Sequence, residues 1–290
     1  MPSTPLSSPQ ILIIGNVGLD EFPQTGEKRL GGATYNQANQ LSNVCSVPLC
    51  FLARVGQDEA GRRILDELST QPFAQNLIVQ DPLHPSSVVT VTLSPKGLPT
   101  YGSSDTVAAD FLCDADFAPL RHQTFALISV GSKLLRSAQS RKAVFTYLDT
   151  QPNTPVFWDA NLRKGYVTPE TLVLILERAT FVKLNVAELS LLANELNLQG
   201  TTDAQLATLS TRFHLSMVAL TRGEKGAKLW ANDQIFKAEG HALSTTNTVG
   251  AGDAFSAMMI HGILQGWSPQ ALVNKANSFA ASYLETARKS

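Results

Sequence analysis

Short apolar runs recur along the chain and alternate with longer stretches of helical periodicity. Residues 11–14 form the first run, which ends at Gly15, and similar runs follow at 125–130, 156–159, 181–184 and 217–221. Runs of this kind are typical of strands buried inside a parallel sheet. Helical patterns at 168–178 and 187–198 lie between them. The alternation predicts βαβ units, and therefore a Rossmann-like α/β fold with a mostly parallel sheet.

Polar residues stand directly after several of these runs, where a strand is expected to end. They are Asp159, Asn161, Arg163, Asn185, Glu188, Thr221 and Gly223. Open α/β sheets bind ligands beyond the carboxyl ends of their parallel strands. We therefore expect these side chains to share one edge of the sheet and to form a binding site there.

Two segments break the α/β pattern. Residues 20–30 are mostly polar, and residues 87–93 form a β-rich run that leads into Ser94-Pro95-Lys96-Gly97 and a second short run. Turn-forming residues between two such runs predict a β-hairpin. The chain has no internal repeat and no low-complexity linker, so we predict a single α/β domain, 1–290, with these segments inserted in it.

Composition narrows the function to small-molecule chemistry. The chain has 290 residues, with 23 Lys and Arg against 24 Asp and Glu, and it lacks a basic block of the kind that tracks nucleic acid or anionic lipid. A chain of this size can bury about 75% of its unfolded surface, which allows a large core. We expect a small-molecule partner, and neither nucleic acid nor membrane.

The cysteines and the N-terminal residues favour a soluble, cytoplasmic protein. Cys45, Cys50 and Cys113 are odd in number and lack the spacing of a zinc site, which favours free thiols. Residues 1–10 lack the charged and apolar regions of a secretion signal, and no apolar run has the length of a membrane span.

A loop of small residues near the C-terminal end carries the most specific chemistry. Gly250, Ala251 and Gly252 lead into Asp253 and then into residues 254–260, which have good helix propensity. Small residues let an anion approach the free N–H groups of a helix start, where the helix dipole also favours negative charge. A carboxylate has a purpose there if it takes a proton from a hydroxyl that attacks phosphorus. The alternative is an ordinary glycine-rich turn with an acid in the first helical turn.

This loop is one of several blocks that match a known family in that family's order. The blocks are Gly31-Gly32-Ala33-Thr34-Tyr35-Asn36, Arg54-Val55-Gly56-Gln57-Asp58-Glu59-Ala60-Gly61, Trp158-Asp159-Ala160-Asn161-Leu162-Arg163, Asn185-Val186-Ala187-Glu188, Thr221-Arg222-Gly223-Glu224-Lys225-Gly226 and Thr248-Val249-Gly250-Ala251-Gly252-Asp253-Ala254-Phe255. Together they resemble the motifs of ribokinase-like (PfkB) carbohydrate kinases over nearly the whole chain. The resemblance implies a ribokinase-like, three-layer α/β/α fold with a small β lid.

The family's lid covers the sugar and excludes water that would otherwise accept the phosphoryl group. The resemblance places the lid segments at approximately 17–31 and 87–104. Because the first segment is short, two arrangements stay open: a reduced lid, or a lid that a partner subunit completes in a homodimer.

The resemblance assigns one set of residues to sugar binding, namely Asn16, Asp20, Gly31, Gly32, Asn36, Asn161 and Arg163. The glycine pair lets backbone approach a ligand, and Asn36 offers a donor and an acceptor to neighbouring hydroxyls. Arg163 carries a planar charged fork that suits phosphate or a sugar carboxylate. Without the family, the same residues also fit a tight turn, a solvated loop and a surface ion pair.

A second set is implied for ATP binding, namely Thr221, Gly223, Gly226 and Asn277. Asn185 and Glu188 are implied to organise Mg²⁺ through water, because this ion keeps much of its hydration shell. The same pair also fits a capping box at a helix start, and the two roles are compatible. The chain has no Walker loop and no GxGxxG fingerprint, so P-loop and dinucleotide-binding interpretations lack support.

One position departs from the family pattern. Most members carry Asp where this chain has Asn247. Asn keeps the oxygen and loses the charge, so we do not carry over activation by a monovalent cation.

The sequence therefore predicts an ATP-dependent sugar kinase. Asp253 is the general base for a primary hydroxyl, and the amides of residues 250–253 form an anion hole that acts with Mg²⁺. The block at 158–163 resembles that of fructokinases, so fructose is the preferred substrate. The alternatives are 2-keto-3-deoxygluconate or another sugar acid, whose kinases share that block, then a nucleoside, and then a sugar-binding protein without catalysis.

Overall fold

The computed structural model describes residues 10–73, 77–93, 99–103, 106–163, 165–241 and 248–287. The strands are β1 Gln10–Ile14, β2 Gly18–Phe22, β3 Glu27–Gly31, β4 Leu49–Gly56, β5 Ile78–Asp81, β6 Ser87–Leu93, β7 Pro99–Ser103, β8 Phe125–Gly131, β9 Val156–Asp159, β10 Phe181–Asn185, β11 Met217–Thr221, β12 Ala227–Ala231 and β13 Gln234–Ala238. The α-helices are α1 Ala33–Val44, α2 Glu59–Leu68, α3 Ala138–Asp149, α4 Pro169–Leu176, α5 Val186–Leu196, α6 Thr202–Phe213, α7 Ala251–Leu264 and α8 Pro269–Ala287. The predictions for Asn247 and for the hairpin turn at 94–97 lie outside the described residues.

A nine-stranded sheet forms the centre of the molecule, in the order β13-β12-β11-β10-β9-β8-β1-β4-β5. Neighbouring strands in the part of this order that runs β11-β10-β9-β8-β1-β4-β5 are parallel, whereas β12 and β13 add an antiparallel ribbon at one edge. The mostly parallel α/β sheet predicted from the apolar runs is confirmed. The antiparallel ribbon was not predicted.

Helices cover both faces of this sheet, which explains why its central strands are mostly apolar on both sides. Along β1, Leu12 and Ile14 pack into a core with α3 to α6, whereas Ile11 and Ile13 pack into a second core with α1, α2, α7 and α8. All of these β1 side chains have 0% exposure. Burying an aliphatic side chain stabilises the fold by about 1.5–3 kcal/mol, so the two cores hold the strand ends in a fixed frame.

The two segments that break the α/β pattern meet in a separate sheet, which we call the lid. It has four strands in the order β3-β2-β6-β7. β2 and β3 form an antiparallel pair, β2 and β6 run parallel, and β6 and β7 form the predicted hairpin. That the chain forms one domain, with the lid inserted in it, remains a prediction.

The polar residues predicted to share one sheet edge follow the carboxyl ends of neighbouring strands. Asn161 follows β9, Asn185 ends β10 and Thr221 ends β11. These three strands are neighbours in the parallel part of the sheet, so the residues lie along one edge.

In the described part of the chain, no helix is both long enough and apolar enough to cross a membrane.

Candidate active site

The predicted glycine loop forms the start of α7. Gly250 precedes the helix in a left-handed conformation, with φ of 82°. A β-carbon at this position would also lie 2.6 Å from the Tyr283 hydroxyl, so both conformation and space require glycine. The first N–H groups of a helix have no acceptor within the helix. Here the Ala251 N–H donates to the Thr248 carbonyl at 3.3 Å and the Ala254 N–H donates to the Gly250 carbonyl at 2.9 Å, whereas Gly252 and Asp253 lie between them. The start of α7 is therefore suited to binding an anion.

Asp253 lies in the first turn of α7, and its carboxylate contacts α1. Asn36 donates a hydrogen bond from Nδ2 to Oδ2 of Asp253 over 2.9 Å. Burial and the nearby Asp159 carboxylate raise the pKa of Asp253 to about 7, although Asn36 and Lys183 oppose the shift. A carboxylate with a pKa near 7 is suited to accept a proton at neutral pH.

A buried ion pair lies beside Asp253. Lys183 on β10 and Asp159 on β9 are register partners, and their Nζ and Oδ1 atoms are 3.0 Å apart. The Ser256 hydroxyl of α7 donates to Oδ2 of Asp159 over 2.7 Å. A β-carbon on Gly252 would lie 2.9 Å from Nζ of Lys183. The ammonium group therefore sits directly under the first turn of α7.

A cavity of about 260 Å³ opens between this turn and the lid, and we call it the lid-side cavity. Every residue assigned to sugar binding lines it: Asn16, Asp20, Gly31, Gly32, Asn36, Asn161 and Arg163. Gly250 and Asp253 line it as well. The structure thus brings together residues that are far apart in the sequence, and the cavity presents many polar groups to a ligand.

The glycine pair has a local structural reason. A β-carbon on Gly31 would lie 2.4 Å from the Asp20 carboxylate, and one on Gly32 would lie 2.8 Å from the side chain of Asn16. Gly32 also has φ of 109°, which side chains disfavour. Thr34 then joins α1 to the end of β1, since its hydroxyl accepts from the Asn16 N–H over 2.7 Å. These contacts place Asn16 and Asp20 at the cavity wall.

The structure adds residues to this cavity that the sequence did not indicate. These are Lys133, Ser87 and Tyr166, whereas Asp159, which also lines the cavity, was among the polar residues expected at this edge of the sheet. Lys133 follows the end of β8, and the rule that polar residues after strands face the site could have found it. Lys183 has a different signal, because a single Lys inside an otherwise apolar strand needs a buried partner.

A second cavity, of about 230 Å³, lies on the other side of the α7 start and next to α8; we call it the α8-side cavity. It is lined by every residue assigned to ATP, Thr221, Gly223, Gly226 and Asn277, together with Lys183, Asn185, Ala251 and Gly252. The Asn277 side chain donates from Nδ2 to the Glu239 carbonyl over 2.8 Å, which fixes its orientation. Consecutive residues of α7, Gly252 and Asp253, therefore line different cavities.

Asn185 and Glu188 form the capping box that their spacing predicts. Asn185 Oδ1 accepts from the Glu188 N–H at 2.9 Å, and Glu188 Oε2 accepts from the Asn185 N–H at 2.7 Å. Glu188 Oε1 accepts from the Leu162 N–H at 3.2 Å. Among the described residues, no group of three or more His, Cys, Asp or Glu could hold a metal ion. The capping role is confirmed, and the metal role of this pair stays a prediction.

Two cavities that meet at a helix start suited to an anion are the arrangement that a phosphotransferase acting on a hydroxyl group needs. The sequence profile described as "pfkB family carbohydrate kinase" matches residues 16–287. The chain belongs to this family, and the resemblance drawn from its motifs is confirmed.

Individual relatives agree with this assignment. A fructokinase of Escherichia coli is 26% identical over 267 residues, which cover 88% of this chain and 85% of that protein. The structure of a Vibrio cholerae O395 fructokinase with fructose, ADP and calcium has a TM-score of 0.79 and 24% identity, covering 95% of this chain and 91% of that one. A protein of E. coli with the provisional name ribokinase II, in complex with ATP and Mg²⁺, has a TM-score of 0.82 and 19% identity, covering 94% of this chain and 92% of that one. The predicted ribokinase-like fold is confirmed.

Proposed function

We propose that the protein transfers the γ-phosphate of ATP to a primary hydroxyl of a free sugar bound in the lid-side cavity. One observation carries this proposal: a single turn of α7 lines both cavities, with Asp253 in the first and Gly252 in the second. A group bound on one side of this turn can meet a group bound on the other side only at the helix start. That start combines an anion site with a carboxylate of raised pKa.

Asp253 serves as the general base in this proposal. Its carboxylate takes the proton from the sugar hydroxyl as the oxygen attacks phosphorus, which is the usual task of a positioned carboxylate in phosphoryl transfer. The hydrogen bond from Asn36 holds the carboxylate in place and keeps one of its oxygens occupied. The other oxygen is left to accept the proton.

Negative charge on the transferred group is balanced by two features of the protein. The N–H groups of residues 250–253 and the dipole of α7 favour an anion at the helix start. Lys183 adds a positive charge close to Gly252, since a β-carbon on that residue would lie 2.9 Å from Nζ. Preorganised charges in a buried site cost little reorganisation during the reaction, so both features stabilise the transition state.

The residues of the α8-side cavity fit ATP and Mg²⁺. Gly223 has a positive φ and open space where a β-carbon would be, which lets a ligand approach the backbone. Asn185 lines this cavity and Glu188 stands one helical turn further on. Both carboxylate oxygens of Glu188 already accept N–H groups, so the pair would hold Mg²⁺ through water, as this ion prefers. The bound ion would neutralise charge on the phosphates.

Fructose is our first candidate for the sugar. Similarity to fructokinases supports it, and so does the balance of charge in the lid-side cavity. Lys183 pairs with Asp159, which leaves Lys133 and Arg163 to offset Asp20 and Asp253. A site without net charge suits a neutral polyol.

A sugar acid such as 2-keto-3-deoxygluconate is the second candidate. It is favoured by the two cations of the cavity, because a substrate carboxylate could pair with the planar fork of Arg163 or with Lys133.

The deciding experiment is ADP release by the purified protein with Mg-ATP and a panel of fructose, ribose, tagatose, 2-keto-3-deoxygluconate and adenosine. Turnover on fructose with the highest kcat/KM supports the first candidate, and preference for the acid supports the second. Silence on every compound, in a protein whose thermal melting shows that it is folded, would contradict the kinase proposal.

Two further expectations belong to this proposal. Free thiols at Cys45, Cys50 and Cys113 suit a cytoplasmic setting. A homodimer through the lid stays open, because β3 and β7 are the edge strands of that sheet and edge strands can pair with another chain.

A further inference from the structure

We propose that Lys133 is a specificity-determining residue for the sugar, and that its ammonium group acts with the Asp20 carboxylate to hold neighbouring hydroxyls. This inference rests on the proposed sugar kinase function, since it concerns the same cavity. It concerns recognition of the substrate and leaves the reacting atoms to Asp253.

The position of Lys133 supports this role. The residue lies in the 3-10 helix Ser132–Arg136 directly after β8, so its backbone belongs to the edge of the central sheet. Its side chain reaches the lid, where Nζ donates to the Ser87 hydroxyl over 2.7 Å. Ser87 is the register partner of Gly18, and Asp20 stands two residues further along β2 on the same side of the lid. Lys133, Ser87 and Asp20 all line the lid-side cavity.

Two carboxylates, Asp110 and Asp20, oppose the lowered pKa of Lys133, and of these two Asp20 lines the cavity. Burial lowers the pKa of Lys133 to about 8, and the cations Arg136 and Arg163 act in the same direction, whereas Asp110 and Asp20 oppose the shift. Asp110 is already engaged by Arg136, through two hydrogen bonds of 2.7 Å. Lys133 also acts on Asp20. Burial raises the pKa of Asp20, and the ammonium group of Lys133 opposes this rise.

The chemistry of the two groups is complementary to adjacent hydroxyls. An ammonium group has three donors, and Ser87 takes one of them, so two can bind ligand oxygens. An ionised carboxylate only accepts. A donor and an acceptor that line the same cavity can bind a vicinal diol, in which one hydroxyl accepts from the Lys and the other donates to the Asp.

A purely structural role for Lys133 would make different predictions. In that case, its bond to Ser87 merely ties the lid to the sheet edge, and loss of either partner should have the same effect. Ser87→Ala is therefore the matched control, because it removes the tie and keeps the ammonium group.

The experiment compares the wild type, Lys133→Met and Ser87→Ala, with turnover kinetics and with calorimetry of sugar binding in the absence of nucleotide. With fructose as the probe, we expect Lys133→Met to raise KM and Kd by about 10- to 100-fold, the usual cost of a lost hydrogen bond to a charged group. We expect kcat and the KM for ATP to change by less than about threefold. Ser87→Ala should have a clearly smaller effect on Kd than Lys133→Met.

The pH dependence of Kd provides a second readout. Because the pKa of Lys133 is about 8, fructose binding to the wild type should weaken as the pH rises above that value. The charged groups that act on Lys133 are Arg136, Asp110, Arg163 and Asp20. The Lys133→Met variant should lose the dependence.

Three results would overturn the inference. They are an unchanged Kd in Lys133→Met, an equal loss in Ser87→Ala, and a loss confined to 2-keto-3-deoxygluconate while fructose is unaffected. Absence of turnover on every sugar would instead contradict the proposed function, and calorimetry would still test Lys133 because it needs no catalysis.

Discussion

The two ends of the lid-side cavity differ in how they are built. At one end, the Asp159 carboxylate of β9 lines the cavity beside Asp253 and pairs with Lys183 of the neighbouring strand β10, and each of these two residues is 5% exposed. At the other end, Asp20 and Lys133 are half-buried, and Asp20 belongs to the lid. The first end is part of the core, and the second end joins two separate sheets.

This difference separates chemistry from recognition. The largest charge effects on Asp253 come from Asp159, Lys183 and Glu188, whereas those on Lys133 come from a different set, Arg136, Asp110, Arg163 and Asp20. Substitutions at the core end should therefore change kcat or stability, and substitutions at the lid end should change KM. The predictions below test that separation, beginning with the largest expected effect.

Asp253→Asn should reduce kcat by about 10²- to 10⁴-fold, because Asn cannot take the proton. This loss corresponds to roughly 3–5 kcal/mol of barrier. Asn keeps an oxygen for the bond from Asn36, so the KM values for sugar and ATP should stay within about threefold of the wild type. Steady-state ADP release at saturating substrates measures the effect, and a kcat near that of the wild type would remove Asp253 from the role of base.

Lys183→Met should destabilise the fold by about 3–5 kcal/mol, because it leaves the Asp159 carboxylate buried without its partner. Urea unfolding measures the change. The control is the double variant Lys183→Met with Asp159→Leu, which removes both charges.

We expect the double variant to regain much of the stability that Lys183→Met loses. Turnover should be low in both variants, because both lack the cation beside Gly252. Full recovery of turnover would show that Lys183 acts only as a structural partner of Asp159.

The pH profile tests the raised pKa of Asp253, which is about 7. Catalysis needs the ionised carboxylate, so kcat/KM should fall by about tenfold per pH unit below that value. The expected measurement is kcat/KM for the preferred sugar between pH 5 and pH 9. A flat profile down to pH 5 would contradict the raised pKa.

The same shift has a consequence for stability. A carboxyl whose folded pKa lies above its unfolded value stabilises the fold below the unfolded pKa and loses that contribution as the pH rises through about 7. Asp253→Asn lacks this loss, so its melting temperature should exceed that of the wild type at pH 8.5, and the difference should shrink at pH 5. Thermal melts at the two pH values check the sign.

Asp20→Asn should have the smallest of these effects and should act on binding. Loss of the carboxylate weakens hydrogen bonds from sugar hydroxyls by about 1.5–3 kcal/mol in total, so KM for the sugar should rise about 10- to 100-fold. We expect kcat to stay within about threefold. A large fall in kcat with an unchanged KM would mean that the two ends of the cavity are not separate.

The sequence indicated the glycine loop before Asp253 and missed Lys133, for a physical reason. The glycine loop before Asp253 needs small residues and a positive φ at Gly250, so the chemistry leaves a local pattern in the chain. Lys133 and Ser87 meet only because β8 and β6 come together in space. No local pattern records such a contact, so the motifs did not indicate Lys133.

The ribbon of β12 and β13 shows a missed signal of another kind. Its turn is Asn232-Asp233, and both residues have positive φ, 50° and 57°. Two such residues between alternating strands are typical of a hairpin with a type I′ turn. The turn residues predict this ribbon, whereas the apolar runs alone do not.

The separation of chemistry from recognition is tested most directly by measuring fructose Kd and kcat side by side in Asp253→Asn and Lys133→Met. The account predicts a crossed result: Asp253→Asn binds fructose nearly as well as the wild type and barely turns over, whereas Lys133→Met binds it about 10- to 100-fold more weakly and turns over at a similar kcat. If both variants lose binding and turnover together, the two ends of the cavity act as one unit and the account is wrong.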